Sequence, residues 1–218
     1  MTQARRPSAH KPAIQAVRLP LNQKLELSAV LRCLQEDGLV SASEAMRARH
    51  AHSSNRPQFE VHPLVLLANQ KLASAEKEGT ELSLERLTVW LAQVTGVPYL
   101  RIDPTKIDVA AVTALFSHAY AQRFRILPVE VYPDRVVVAT SEPTDTRWLA
   151  DIQHILRREI ELRVSNPLDV HRYTMEFFGV TRSVRRAKDQ GEEGPSASLP
   201  SFEQLVELGR TGEVGADD

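Results

Sequence analysis

The stretch 126–140 constrains this chain more than any other. Ile126, Leu127, Val129 and Val131 form one β-branched, apolar-rich run, and Val136, Val137, Val138 and Ala139 form a second. Between them lie Pro133 and Asp134, residues that favour a tight reversal over a continued strand. Val129 and Val131 share one face of the first strand, while Glu130 and Tyr132 point to the other. The second run is apolar on both faces, which predicts a covered, central strand with Val137 or Val138 fully buried. Helical patterns flank the hairpin on both sides. A small α/β core between Gly96 and Gly179 accounts for this order of elements.

Around that core the chain reads as a series of attachments. Residues 1–20 carry Arg5, Arg6, His10 and Lys11 without periodicity, the composition of a disordered tail. Residues 21–80 predict a helical subdomain. Leu27, Val30, Leu31 and Leu34 recur at helical spacing before Gly38, Ser41 and Glu44 make a capping box, and Pro63 opens a helix ending near Gly79. Residues 81–180 predict the α/β part, with Ser83 capping a helix that ends at Gly96. Strands are expected at 99–102, 127–132, 135–140 and 160–164, in a three- to four-stranded sheet flanked by helices. One helix starts at Asp108 and runs through Tyr120, another starts near Asp145 and bears Trp148, and a last one opens at Asn166 and closes at Gly179. Residues 181–200 read as a flexible linker. Ser201 and Gln204 form a second capping box, so 201–218 reads as the first element of a further module.

Charge and motif content exclude several classes of function. The formal net charge of -1 supplies no global attraction to nucleic acid or an anionic membrane. With a single Cys33 there is no internal disulfide, and no apolar run is long enough to span a bilayer. None of the nine glycines precedes a lysine, so the loop that cradles a triphosphate is missing. No nucleophile elbow, zinc-protease helix or cysteine pair is present. His50 and His52, two apart on a helix, do not face one another; Cys33, His118 and His154 lie in or beside apolar stripes and read as structural. Glu130, Glu142 and Asp145 read as turn and surface residues. No catalytic, cofactor-binding or metal-ligating residue is assigned, and the chain is not expected to be an enzyme.

The order of short motifs carries a resemblance. Leu91-Ala92-Gln93-Val94-Thr95-Gly96-Val97-Pro98-Tyr99, Ile126-Leu127-Pro128-Val129, the run from Val136 through Ser141-Glu142-Pro143-Thr144-Asp145, Val164-Ser165-Asn166 and Phe177-Phe178-Gly179 resemble the N-terminal domain of GspE/PulE-type ATPases. These motors drive type II secretion and type IV pilus assembly. The resemblance implies a docking and regulatory domain that recruits the motor to the cytoplasmic part of a GspL-like inner-membrane platform protein. It also implies a cytoplasmic location, peripheral to the bacterial inner membrane through that partner, without nucleic-acid binding or membrane insertion. ATP and Mg²⁺ would belong to an absent C-terminal ATPase module, of which the resemblance makes 201–218 the start; no cofactor is expected in this chain.

Two alternatives follow from the same resemblance: a cyclic di-GMP-binding regulatory domain, or a stand-alone adaptor lacking the motor. Some relatives bind cyclic di-GMP through an Arg-Leu-Gly motif ahead of a helix-ending glycine. Counting back from Gly38, the matching positions are Ala29, Val30 and Leu31, which lack the phosphate-pairing arginine and the glycine that permits close approach. For the docking surface, the helical subdomain has more apolar positions than three short helices bury among themselves. Leu21, Leu25, Leu39, Val40 and Leu66 are the expected partner contacts.

Overall fold

The computed structural model describes residues 18–54, 61–75 and 79–192. The expected tail at 1–20 falls almost wholly outside these residues, as do the second capping box and the rest of 201–218. The chain divides into two units, Met1–Thr181 and Arg182–Asp218. In the first unit, helices α1 (Leu27–Glu36), α2 (Ala42–Ser54), α3 (Pro63–Asn69) and α4 (Leu84–Thr95) precede a short 3-10 turn at Pro104–Lys106. Then come α5 (Val109–Thr113), α6 (His118–Phe124), β1 (Ile126–Val131), β2 (Arg135–Thr140), α7 (Leu149–Leu156), β3 (Glu159–Val164) and α8 (Pro167–Glu192). Of the second unit, the described part is the distal end of α8.

The sheet has the order β1-β2-β3, antiparallel between the first pair and parallel between the second. This makes an α+β domain. β2 is central, as its apolar run predicts: Val137 and Ala139 pack in one cluster with Ile102, Val112, Val170 and Phe177, and Val136 and Val138 pack in another with Phe116, Trp148 and Ile152. Each face of the sheet is therefore covered by helices, and Val138 is fully buried. The register slips between Pro128 and Glu130. Proline has no N–H for the ladder, and on an edge strand a bulge accommodates it. The expected strand at 99–102 contributes one bridge, Tyr99 to Val164, with two backbone hydrogen bonds of 2.9 and 2.8 Å, because Asp103-Pro104 turns the chain away.

Several local expectations change. Residues 108–120 form two helices rather than one, because the Ser117 hydroxyl accepts from the Tyr120 N–H and starts α6 anew. The helix expected near Asp145 begins at Leu149 instead. Gly179 does not close α8, which runs on to Glu192 and takes in much of the linker expected at 181–200. Gly179 stays in helical φ, and the residues after it are largely good helix formers. The capping box at Ser41 is half formed: its hydroxyl accepts from Glu44 N–H, but the Glu44 carboxylate takes the Ala73 N–H at 3.0 Å and Arg47.

The helical cluster does not stop at residue 80. Leu87, Trp90, Leu91 and Val94 of α4 pack with Val30, Leu31, Leu34, Leu64 and Leu67 of the preceding helices, and Val164 of β3 joins them. Trp90 Nε1 also donates to Asp37 at 2.7 Å. The helices before the sheet thus share a core with its β3 end, and Met1–Thr181 holds together as a single unit.

Candidate functional site

The loop after β2 builds the most distinctive polar site of the described residues. Ser141, Glu142, Thr144 and Asp145 are each no more than 2 % exposed. A loop this polar stays buried only if its groups find partners. Glu142 N–H donates to the Thr140 hydroxyl at 2.9 Å, and Asp145 binds Arg147 through two hydrogen bonds of 2.7 Å. The remaining partners come from far away in the chain.

Glu142 sits at the junction. One carboxylate oxygen accepts from Arg125 Nη1 at 2.5 Å, and the other accepts from the Leu25 N–H at 2.8 Å. Arg125 is presented by the left-handed end of α6, at φ 52°. His62, the N-cap of α3, lies beside them. Its Nδ1 accepts from the Leu64 N–H at 3.2 Å, so its Nε2–H is the donor to the Ser141 carbonyl at 2.9 Å. The same Nε2 is 3.6 Å from Glu142. Burial and the nearby Arg125 push the His62 imidazole down to about 3, so it is neutral at ordinary pH. Burial also raises Glu142, while the Leu25 N–H and Arg125 pull it back toward the ionised form. The arrangement is a buried carboxylate gripped by a guanidinium and a backbone amide, with a neutral imidazole alongside.

An open cleft of about 420 Å³ adjoins this site, lined by His62, Arg125 and Ser141 with Lys24, Leu168 and His171. The side chains offer cation and apolar contact. Sequence reasoning placed Glu142 and Asp145 at the surface; the structure corrects this, because residues 22–25 and 62, remote in sequence, cover the loop. The usable signal was the density of Ser, Glu, Thr and Asp soon after the apolar run Val136–Ala139.

The five expected partner contacts do not form one surface. Leu25, Leu39 and Val40 are 7 %, 4 % and 3 % exposed and belong to the helical core, which corrects their assignment as an exposed patch. The physical reason is α4: a fourth helix, with β3, supplies the apolar area that three short helices lack. Leu66 is half-buried, and Leu21 is 62 % exposed. Ala29, Val30 and Leu31 are buried on the inner side of α1, with no cationic group at these positions. Cys33 is buried as well, and burial raises its thiol pKa.

Comparison with known proteins gives concordant matches. Residues 95–184 match the MshEN domain family. The type IV pilus assembly ATPase TfpB of Acinetobacter baylyi is 30% identical over 189 residues, covering 86% of this chain and 32% of TfpB. The chain therefore spans about a third of the length of the curated relative it matches. Among solved structures, that of MshE with cdg is similar at a TM-score of 0.49 and 20% identity, over 68% of this chain and 97% of that one. The N-terminal domain of XpsE follows at 0.44 and 16%, over 70% and 96%.

Proposed function

We propose that the chain is the docking and regulatory part of a pilus or type II secretion motor, because residues 95–184 match the MshEN domain family and a type IV pilus assembly ATPase is 30% identical over 189 residues. In this reading it makes no covalent chemistry. It recruits an ATPase module to the cytoplasmic domain of a GspL-like inner-membrane platform protein, and reaches the membrane from the cytoplasm through that partner. The family match is the observation that carries the proposal. Two others are consistent with it: the sequence lacks a phosphate-cradling loop, and no helix among the described residues is long and apolar enough to cross a membrane.

The docking surface is assigned to residues 18–80, where Leu21 and Met46 are exposed large apolar side chains and Leu66 is half-buried. No nucleotide cofactor belongs to this reading, because Ala29, Val30 and Leu31 offer neither a phosphate-pairing charge nor a glycine. The test is capture of the purified platform cytoplasmic domain by the chain and by Leu21→Asp and Leu66→Asp variants. Folded, monodisperse variants should bind at least about tenfold more weakly, the scale of one lost apolar anchor. Undiminished capture by both would place the docking surface elsewhere.

A further inference from the structure

Residues 18–26 cross the molecule without regular structure, and their contacts divide by type. The apolar anchors, Leu19 and Leu25, both enter the helical core. Arg18 pairs with Glu36 and Asp37 at the end of α1. Further polar contacts fall on the buried loop after β2. Asn22 N–H donates to the Thr144 carbonyl at 2.8 Å, the Thr144 hydroxyl to the Gln23 carbonyl at 3.1 Å, and the Thr146 hydroxyl to Asn22 Oδ1 at 3.0 Å. The Leu25 N–H donates to Glu142. Neither core cluster of the sheet contains a residue of this segment. These hydrogen bonds to the sheet side all fall on this loop, where Glu142 is the charged acceptor and Lys24 of the strap adds attraction to Glu142 and Asp145.

Leu25 lies just before α1, whose N-cap residue, Glu26, makes no side-chain capping bond. A carboxylate 117 positions away in sequence binds the amide ahead of that helix and the Arg125 guanidinium at once. That pair of donors, one backbone N–H and one guanidinium, is what a protein ordinarily offers a bound anion. We propose that Glu142 is a built-in anionic ligand, latching the strap of residues 18–26 to the sheet so that the strap can be released as a unit while the sheet stays folded. The strap carries Leu21, so the latch governs how that side chain is presented. The latch itself rests on the contacts above and stands whether or not Leu21 is a docking residue.

Hydrogen exchange on the full chain tests this. In Glu142→Gln, which keeps the shape and loses the charge, amides of residues 19 and 21–26 should exchange about ten- to a hundredfold faster, while those of β2 change by less than about twofold. Strap exchange that is unchanged, or that accelerates equally with β2, overturns the proposal. In Glu142→Ala, formate should restore strap protection where chloride at equal ionic strength does not; equal effects of the two salts overturn the built-in-ligand role. Should Glu142→Ala fail to fold, Thr144→Val supplies a milder arm. It removes the Gln23 contact alone and should speed strap exchange severalfold with β2 unaffected; no change in the strap counts against the latch.

Discussion

His62 is a residue whose protonation bears directly on stability. It is buried, donates to Ser141 and accepts from Leu64, and Arg125 and Glu142 face it. Its pKa is about 3 in the folded chain against 6.5 when exposed. Between these values the unfolded chain binds the extra proton, so the stability due to neutral His62 is complete above pH 6.5 and is lost as pH falls toward 3. His62→Gln removes that titration. Urea unfolding should show the stability gap between wild type and His62→Gln narrowing from pH 7 to pH 5 by at least about 1 kcal/mol. A constant gap would mean that His62 is not held neutral by its burial.

Single helices test separately what starts them and what holds them. The Ser83 hydroxyl caps α4 by accepting from the Arg86 N–H at 3.2 Å. Ser83→Ala should cost about 1 kcal/mol. Leu91, fully buried on the same helix, packs into the shared core, and Leu91→Ala should cost about 2–5 kcal/mol. Chemical denaturation should rank the two in that order; a reversed order would place the stability of α4 in its cap. Gly179 gives the opposite sign. It lies within α8 at helical φ, and a Cβ added there meets nothing within 4 Å. Gly179→Ala should therefore stabilise by about 0.5–1 kcal/mol, read as a higher melting temperature.

For the chain as a whole, nucleotide binding is the sharpest prediction. The loop by which secretion and pilus motors of this kind would cradle a triphosphate is glycine-rich and runs directly into a lysine, and no glycine of this sequence precedes a lysine. Calorimetry with ATP and Mg²⁺ on this chain should give no saturable heat. Cyclic di-GMP should bind no tighter than about the high-micromolar range, roughly −5 to −6 kcal/mol, because the Arg-Leu-Gly positions hold Ala29, Val30 and Leu31. A sub-micromolar dissociation constant would require other cations to take the place of the missing arginine.

What the sequence determined by itself was local. Ser83, Asp108 and Asn166 marked helix starts because a cap involves residues only two or three apart, and the double-sided apolar run of β2 announced a strand covered on both faces. The missing phosphate loop was legible for the same reason: it is a contiguous motif. Only the tertiary structure decided that α4 closes the helical core, which turned Leu25, Leu39 and Val40 from candidate surface into interior. It alone decided that Glu142 is buried. The burial of a polar loop depends on what lies over it, and here the cover comes from His62 and from Asn22 to Leu25, segments some 80 to 120 positions upstream. Spacing rules reach about one helical turn, whereas Glu142 and Leu25 meet only because the fold brings α1 to the end of β2.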